Sequence, residues 1–255
     1  MIAKTQEEIE QLRISGKILA EVLKECIQMV KPGVTTAALD IAAEKGIRDR
    51  GGVPAFLNYK PSGASYPYPA ALCVTINNEV AHGIPSEDRV IQEGDIVSLD
   101  LGVTYNGYVT DAALACIAGE GDEDSKRLLE AARETLNVAV ATMKAGAHAE
   151  DAGAAVEIVA KKYKVAIVED LGGHGVGKSV HEKPYISNVG TKGKGEILPV
   201  GMVLALEPHL TLGKGDIVLE DDQWTYSTLD GSRATHFEQT IILTEDGCEI
   251  LTPFL

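Results

Sequence analysis

Apolar residues recur at helical spacing over residues 5–30, at Ile9, Leu12, Leu19, Leu23 and Ile27, and predict an amphipathic helix. Thr5 with Glu8 three positions on fits a capping box, and Lys31-Pro32-Gly33 ends the run. Thr35-Thr36 opens a second helix that reaches residue 50. Residues 53–59 and 71–76 read as short strands, separated by a 61–69 loop dense in proline, serine, glycine and tyrosine. After Glu93-Gly94-Asp95 the pattern alternates from Ile96 to Tyr105, reverses at Asn106-Gly107 and returns from Tyr108 to Ala118, which predicts a hairpin. Further helices are expected over 122–143 and 149–163. Strands are expected at 165–170, 202–212, 216–219, 223–227 and 233–251, the last turning at Asp246-Gly247.

The pattern also repeats. Lys31-Pro32-Gly33 and Lys144-Ala145-Gly146 each precede a helix. His82-Gly83-Ile84 matches His174-Gly175-Val176, and the run Gly94 to Asp100 matches Gly201 to Glu207. Both of those runs end on an acid, and each half adds another from a later strand, Asp111 or Glu238. Two αβ halves, 5–120 and 121–251, facing across a pseudo-two-fold axis would bring these acids together. The expectation is an α+β fold and one domain over 1–255, because a site between the halves belongs to both.

Composition narrows the function. At 255 residues and 45% hydrophobic content the chain can bury a sizeable core. A net charge of −15 excludes a basic nucleic-acid surface. No apolar run approaches the roughly 18 residues of a membrane span, and no secretory leader pattern opens the chain. Cys26, Cys73, Cys116 and Cys248 form no C-x-x-C pair and read as reduced thiols, so a cytoplasmic protein is expected. The acidic run Glu120 to Asp124 reads as a solvated loop and helix start.

Asp100 and Asp111 flank the Asn106-Gly107 turn almost symmetrically, so antiparallel strands set them near one another. Val97 and Leu99 surround Asp100 with apolar chain, and Glu207 ends another apolar run. A buried carboxylate needs a cation or a donor. Each acid alone is explained as well by a turn hydrogen bond or a strand ion pair. Asp100, Asp111, Glu207 and Glu238 with His174 make an oxygen-rich set able to balance two divalent cations, suited to manganese, iron(II), cobalt or magnesium. Such a set points to hydrolysis. The glycines around His174, Gly172 to Gly177, lack P-loop spacing and instead allow close backbone approach.

At these residues the chain resembles the type 1 methionine aminopeptidases, which have the pita-bread metallohydrolase fold. The likeness runs from Lys4 to Leu251. It is most specific at Asn77 to Pro85, the Asp100–Asp111 pair, Gly173-His174-Gly175 with His181-Glu182, Leu206-Glu207-Pro208 and Glu238-Gln239-Thr240-Ile241. The resemblance implies two divalent ions (manganese, iron(II), cobalt or zinc) held by Asp100, Asp111, His174, Glu207 and Glu238, with Asp111 and Glu238 shared between them. It implies Glu207 as proton shuttle, His181 as donor to the developing oxyanion and His82 against the scissile amide. Cys73, Tyr68 and Trp224 align with the methionine pocket, although core packing explains Cys73 and Tyr68 equally well. The implied substrates are nascent polypeptides with a free N-terminal methionine and a small second residue, met at the ribosome by a monomer.

Two departures bear on selectivity. Val180 stands where many relatives carry a bulky aromatic, and the 61–67 loop is longer than in compact bacterial enzymes. Two other readings compete. A proline-directed peptidase of the same fold would carry an extra N-terminal domain, whereas the first helix here starts at residue 5. A catalytically silent binding protein would have lost ligands that this chain keeps.

Overall fold

The computed structural model describes residues 1–253. The first part of the chain contains α1 (Gln6–Met29), α2 (Thr36–Asp49), β1 (Val53–Pro54), β2 (Leu72–Ile76), β3 (Glu79–Ala81), β4 (Ile96–Tyr105) and β5 (Tyr108–Ile117). Next come α3 (Glu123–Thr142), α4 (Asp151–Tyr163), β6 (Ala166–Ile167), β7 (Gly172–Gly175), β8 (Glu182–Ser187), β9 (Val203–Leu206) and β10 (His209–Thr211). The chain closes with β11 (Ile217–Leu219), β12 (Tyr226–Thr228), β13 (Ala234–His236), β14 (Gln239–Leu243) and β15 (Cys248–Ile250).

The helices follow their caps. The Glu8 amide donates to Thr5 Oγ1, and Glu8 Oε2 accepts from the Thr5 amide, so two otherwise orphaned donors at the start of α1 are satisfied. Thr35 caps α2 and Asp122 caps α3 in the same way from one side. The β4–β5 hairpin turns as the Asn-Gly pair predicts, with Asn106 and Gly107 at φ 49° and 79°. β4 is buried on both faces from Ile96 to Val103 except at the half-buried Asp100, because α1 packs over the hairpin. Ser15 inside α1 donates to the Val103 carbonyl at 2.8 Å, which satisfies a buried hydroxyl.

Two antiparallel sheets position the site. β4 pairs with β1 and β2 along one edge and with β5 along the other. The second sheet runs β15-β14-β9-β7-β8. The two meet at a short seam: Ala113 and Glu238 exchange both backbone hydrogen bonds, at 3.3 and 3.0 Å. Thr240 Oγ1 donates to the Asp111 carbonyl at 2.7 Å and accepts from the Asp111 amide at 2.9 Å. One apolar cluster runs continuously from Ile18 in α1 to Leu243 in β14.

Several strand expectations need correction. Of 53–59, only Val53–Pro54 is strand, because Asn58 takes φ 66° and turns the chain back on itself. Only Ala166–Ile167 of 165–170 pairs. The 202–212 run splits at Glu207-Pro208, where proline has no amide to donate. The strand expected at 223–227 begins at Tyr226, since Asp222 holds the Trp224 and Thr225 amides in a turn. The 233–251 run is three strands. β3, β7 and β8 lie outside the expected strands.

Candidate active site

Register explains how the acids converge. Asp100 of β4 faces Ala113 of β5, and Asp111 faces Gly102, so the two acids lie on one face of the hairpin as diagonal neighbours. The seam sets Glu238 beside that face. β7 contributes His174, opposite Ala205 of β9. Glu207 follows β9 directly. Gly173 is required here: a Cβ on it would stand 2.4 Å from the Ala205 carbonyl oxygen, so only glycine lets β7 lie against β9.

Asp111, His174 and Glu238 each offer one ligand atom, all within 4.8 Å of one another. His174 Nε2 lies 4.0 Å from Asp111 Oδ2 and 3.3 Å from Glu207 Oε1. Asp100 Oδ1, Asp111 Oδ1 and Glu238 Oε1 are buried without a hydrogen-bond partner among the described residues. No lysine or arginine among those residues pairs with the five. Burial, reinforced by the charge of Glu207, pushes Asp100 up to about 7. Asp111 and Glu238 are held well above the usual carboxylate range by burial and then by the neighbouring acids. His174 is lowered by burial, but hydrogen bonding and charge from Glu207 outweigh that and raise it overall. Orphaned carboxylate oxygens facing one imidazole are what divalent cations would satisfy. The donor set fits the metal centre that the sequence implies.

All ten residues nominated from sequence line one cavity, together with Phe56, Tyr59 and Val180. Cys73 is the β2 partner of Asp100, so register alone brings the thiol to the acids. Tyr68 donates to the Gly83 carbonyl at 2.9 Å and meets Trp224 edge-on, with ring centroids 5.2 Å apart. These rings, with Cys73, Phe56 and Val180, form a soft apolar wall. His82 takes φ 56°, a left-handed conformation that a non-glycine residue holds only under constraint. Burial and then His174 push His82 down to about 4, so its ring is neutral at physiological pH. His181 stands at the mouth, solvent-exposed, against His174 at 4.4 Å between ring centroids. A second groove, lined by Leu171, Tyr185 and His209, shares His82, His174, His181 and Glu207 with the cavity and leads to the surface.

Sequence reasoning did not nominate Phe56, Tyr59, His209 or His236. His209 and His236 face each other across β10 and β13 with rings stacked at 4.3 Å, and His209 Nε2 lies 3.6 Å from Glu207 Oε2. Each sits two residues from a nominated acid, but Glu207 and Glu238 lie between strands, so no strand alternation linked them to the histidines.

Known proteins resemble this chain along nearly its whole length. A family profile described as metallopeptidase family M24 matches residues 10–245. The methionine aminopeptidase of Aquifex aeolicus is 45% identical over 250 residues, covering 97% of each chain. Methionine aminopeptidase 1 of Mycobacterium tuberculosis is 39% identical, covering 96% of this chain and 92% of its own. The crystal structure of a Thermotoga maritima methionine aminopeptidase superposes with a TM-score of 0.93 at 40% identity, covering 99% of both chains. A Pyrococcus furiosus prolidase shares the fold at a TM-score of 0.74 and 24% identity, but only 65% of that chain is covered. The fold is the pita-bread fold of these structures.

Proposed function

The chain belongs to metallopeptidase family M24, and from that premise we propose that it removes the N-terminal methionine from peptides and nascent proteins in a metal-dependent hydrolysis. The observation that carries the reading is the cluster of orphaned, buried carboxylates beside a soft apolar pocket. In this reading Asp100, Asp111, His174, Glu207 and Glu238 would hold two divalent ions. When bound, such ions supply a hydroxide nucleophile at neutral pH and polarise the scissile carbonyl.

The chain's own groups do the rest. Cys73, Tyr68 and Trp224 offer a thiol and aromatic faces to the methionine thioether, a favourable sulfur environment. His82, neutral and held in a constrained backbone, orients the scissile amide nitrogen. His181 donates to the developing oxyanion. Glu207 moves the proton from the attacking water to the leaving amine. The peptide beyond the first residue leaves along the groove past Tyr185, and the preference for a small second residue follows from the family likeness. The free amine must be neutral to take part, so formylated or acetylated N-termini do not react. Val180 leaves the pocket wider than an aromatic would, which extends tolerance to bulkier first residues. The protein is read as a cytoplasmic monomer that meets its substrates at the ribosome.

Release of methionine from Met-Ala-Ser, lost with a chelator and restored by manganese, iron(II), cobalt or zinc, tests this reading. Cleavage of Xaa-Pro peptides in preference to Met-Ala-Ser would instead place the chain with the proline-directed branch. Activity that survives complete metal removal would overturn the assignment.

A further inference from the structure

Tyr59 lies outside every motif that identifies the family likeness, yet its hydroxyl sits 2.9 Å from His181 Nδ1, across 122 residues of sequence. The rings are 5.4 Å apart between centroids, tilted by 48°. The backbone around Tyr59 is closed. Its amide donates to the Phe56 carbonyl at 2.8 Å, and its carbonyl accepts from the Tyr68 amide at 2.8 Å. Asn58 donates to the Tyr68 carbonyl at 2.9 Å. Tyr68 is itself buried and anchored to Gly83. The 61–67 loop therefore leaves from a rigid base, and Tyr59 is part of that base.

His181 has no comparable anchor of its own. It is exposed at the mouth, and its other ring contact is His174. The ring nitrogens of a neutral imidazole are distinct: one donates and the other accepts, and the partner of one decides the role of the other. With the phenol as donor, both groups are satisfied within the protein. The reverse arrangement, Nδ1–H donating to the tyrosine oxygen, leaves the phenolic proton without a protein acceptor among the described residues. An ordinary phenol already keeps its proton at neutral pH.

We propose that Tyr59 is a positioning residue for His181: it donates to Nδ1, and so holds the ring in one orientation with its proton on Nε2, the edge turned away from Tyr59. That is the form in which His181 can donate a hydrogen bond to a substrate carbonyl. The proposal rests on the peptidase reading of the cavity for its purpose, but not for its geometry.

The test is a long-range nitrogen–proton correlation spectrum of zinc-loaded protein carrying isotopically labelled histidine, with a His181→Gln sample to assign the signal. His181 is expected to show a pyridine-like Nδ1 and a pyrrole-like Nε2. In Tyr59→Phe, which keeps the ring and removes only the hydroxyl, the Nδ1 resonance moves. Turnover of Met-Ala-Ser in that variant falls about fivefold in kcat, the size of one neutral hydrogen bond, while KM stays within about twofold. A protonated Nδ1 in the unaltered protein would overturn the proposal. So would a Tyr59→Phe variant with unchanged resonance and kcat, or one whose loss lies in KM alone. Because the spectrum needs no turnover, a protein inactive on Met-Ala-Ser that still shows the expected tautomer sinks the functional assignment and spares the positioning.

Discussion

Metal binding should release protons, and more of them at pH 6 than at pH 8. Asp100 is pushed up to about 7, first by burial and then by Glu207. At pH 6 such an acid is roughly nine-tenths protonated, so a cation must displace the proton, which weakens binding about tenfold, or ~1.4 kcal/mol, for that group alone. Asp111 and Glu238 lie well above the usual range and act in the same direction. His174, raised overall, adds to it. Raised groups hold protons in the metal-free protein and yield them as pH rises, so affinity climbs with pH. Asp100 alone should release about 0.9 proton per protein loaded at pH 6 and about 0.1 at pH 8, and the other raised groups add to the release. Titration calorimetry with manganese, repeated in two buffers of different ionisation enthalpy, counts these protons directly. Release below about half a proton at pH 6, with affinity flat to pH 8, would refute the reasoning, because the carboxyls would then already be ionised.

Three further outcomes follow from the same geometry. Glu207→Gln should abolish turnover of Met-Ala-Ser while its circular dichroism and unfolding midpoint stay close to those of the parent; parental activity would refute the proton-transfer role. Burial, then neighbouring histidines, pushes His236 down to about 3 and His209 well below its ordinary value. Both are neutral in the fold and charge on unfolding, so their contribution is present above about pH 6.5 and is lost as pH falls, by up to ~1.4 kcal/mol per group per pH unit. Urea unfolding should weaken steeply below pH 6, and less steeply in the His209→Gln/His236→Gln double variant; parallel pH curves would contradict this. Gly173→Ala puts a methyl 2.4 Å from the Ala205 oxygen and should cost about 2–4 kcal/mol in the same assay, because backbone must move to relieve it. A change within about 0.5 kcal/mol would mean the β7–β9 contact is looser than described.

The helices and the β4–β5 hairpin were legible because each carries its own signal: a 3.6-residue period, a capping side chain, an Asn-Gly turn. β7 and β8 were not. Gly172-Gly173-His174-Gly175 has no side-chain alternation to read, and β8 carries Pro184 within it. Pro208 broke a run whose hydrophobicity looked continuous. In the site, residues adjacent in register to an acid, such as Cys73 beside Asp100, were found through the family likeness. Tyr59 escaped notice because its partner lies 122 residues away in the chain. His209 and His236 escaped because each reads alone as an ordinary strand histidine. Tertiary pairing created their chemistry.

The central claim is that separated acids and one imidazole converge to hold a pair of cations. Anomalous diffraction from a manganese-soaked crystal tests it most directly. Two peaks about 3.5–4 Å apart, with Asp111 and Glu238 carboxylates between them and Asp100, His174 and Glu207 at the flanks, are the predicted result. Carboxylates without a peak within about 2.5 Å, or manganese bound only elsewhere on the surface, would contradict it.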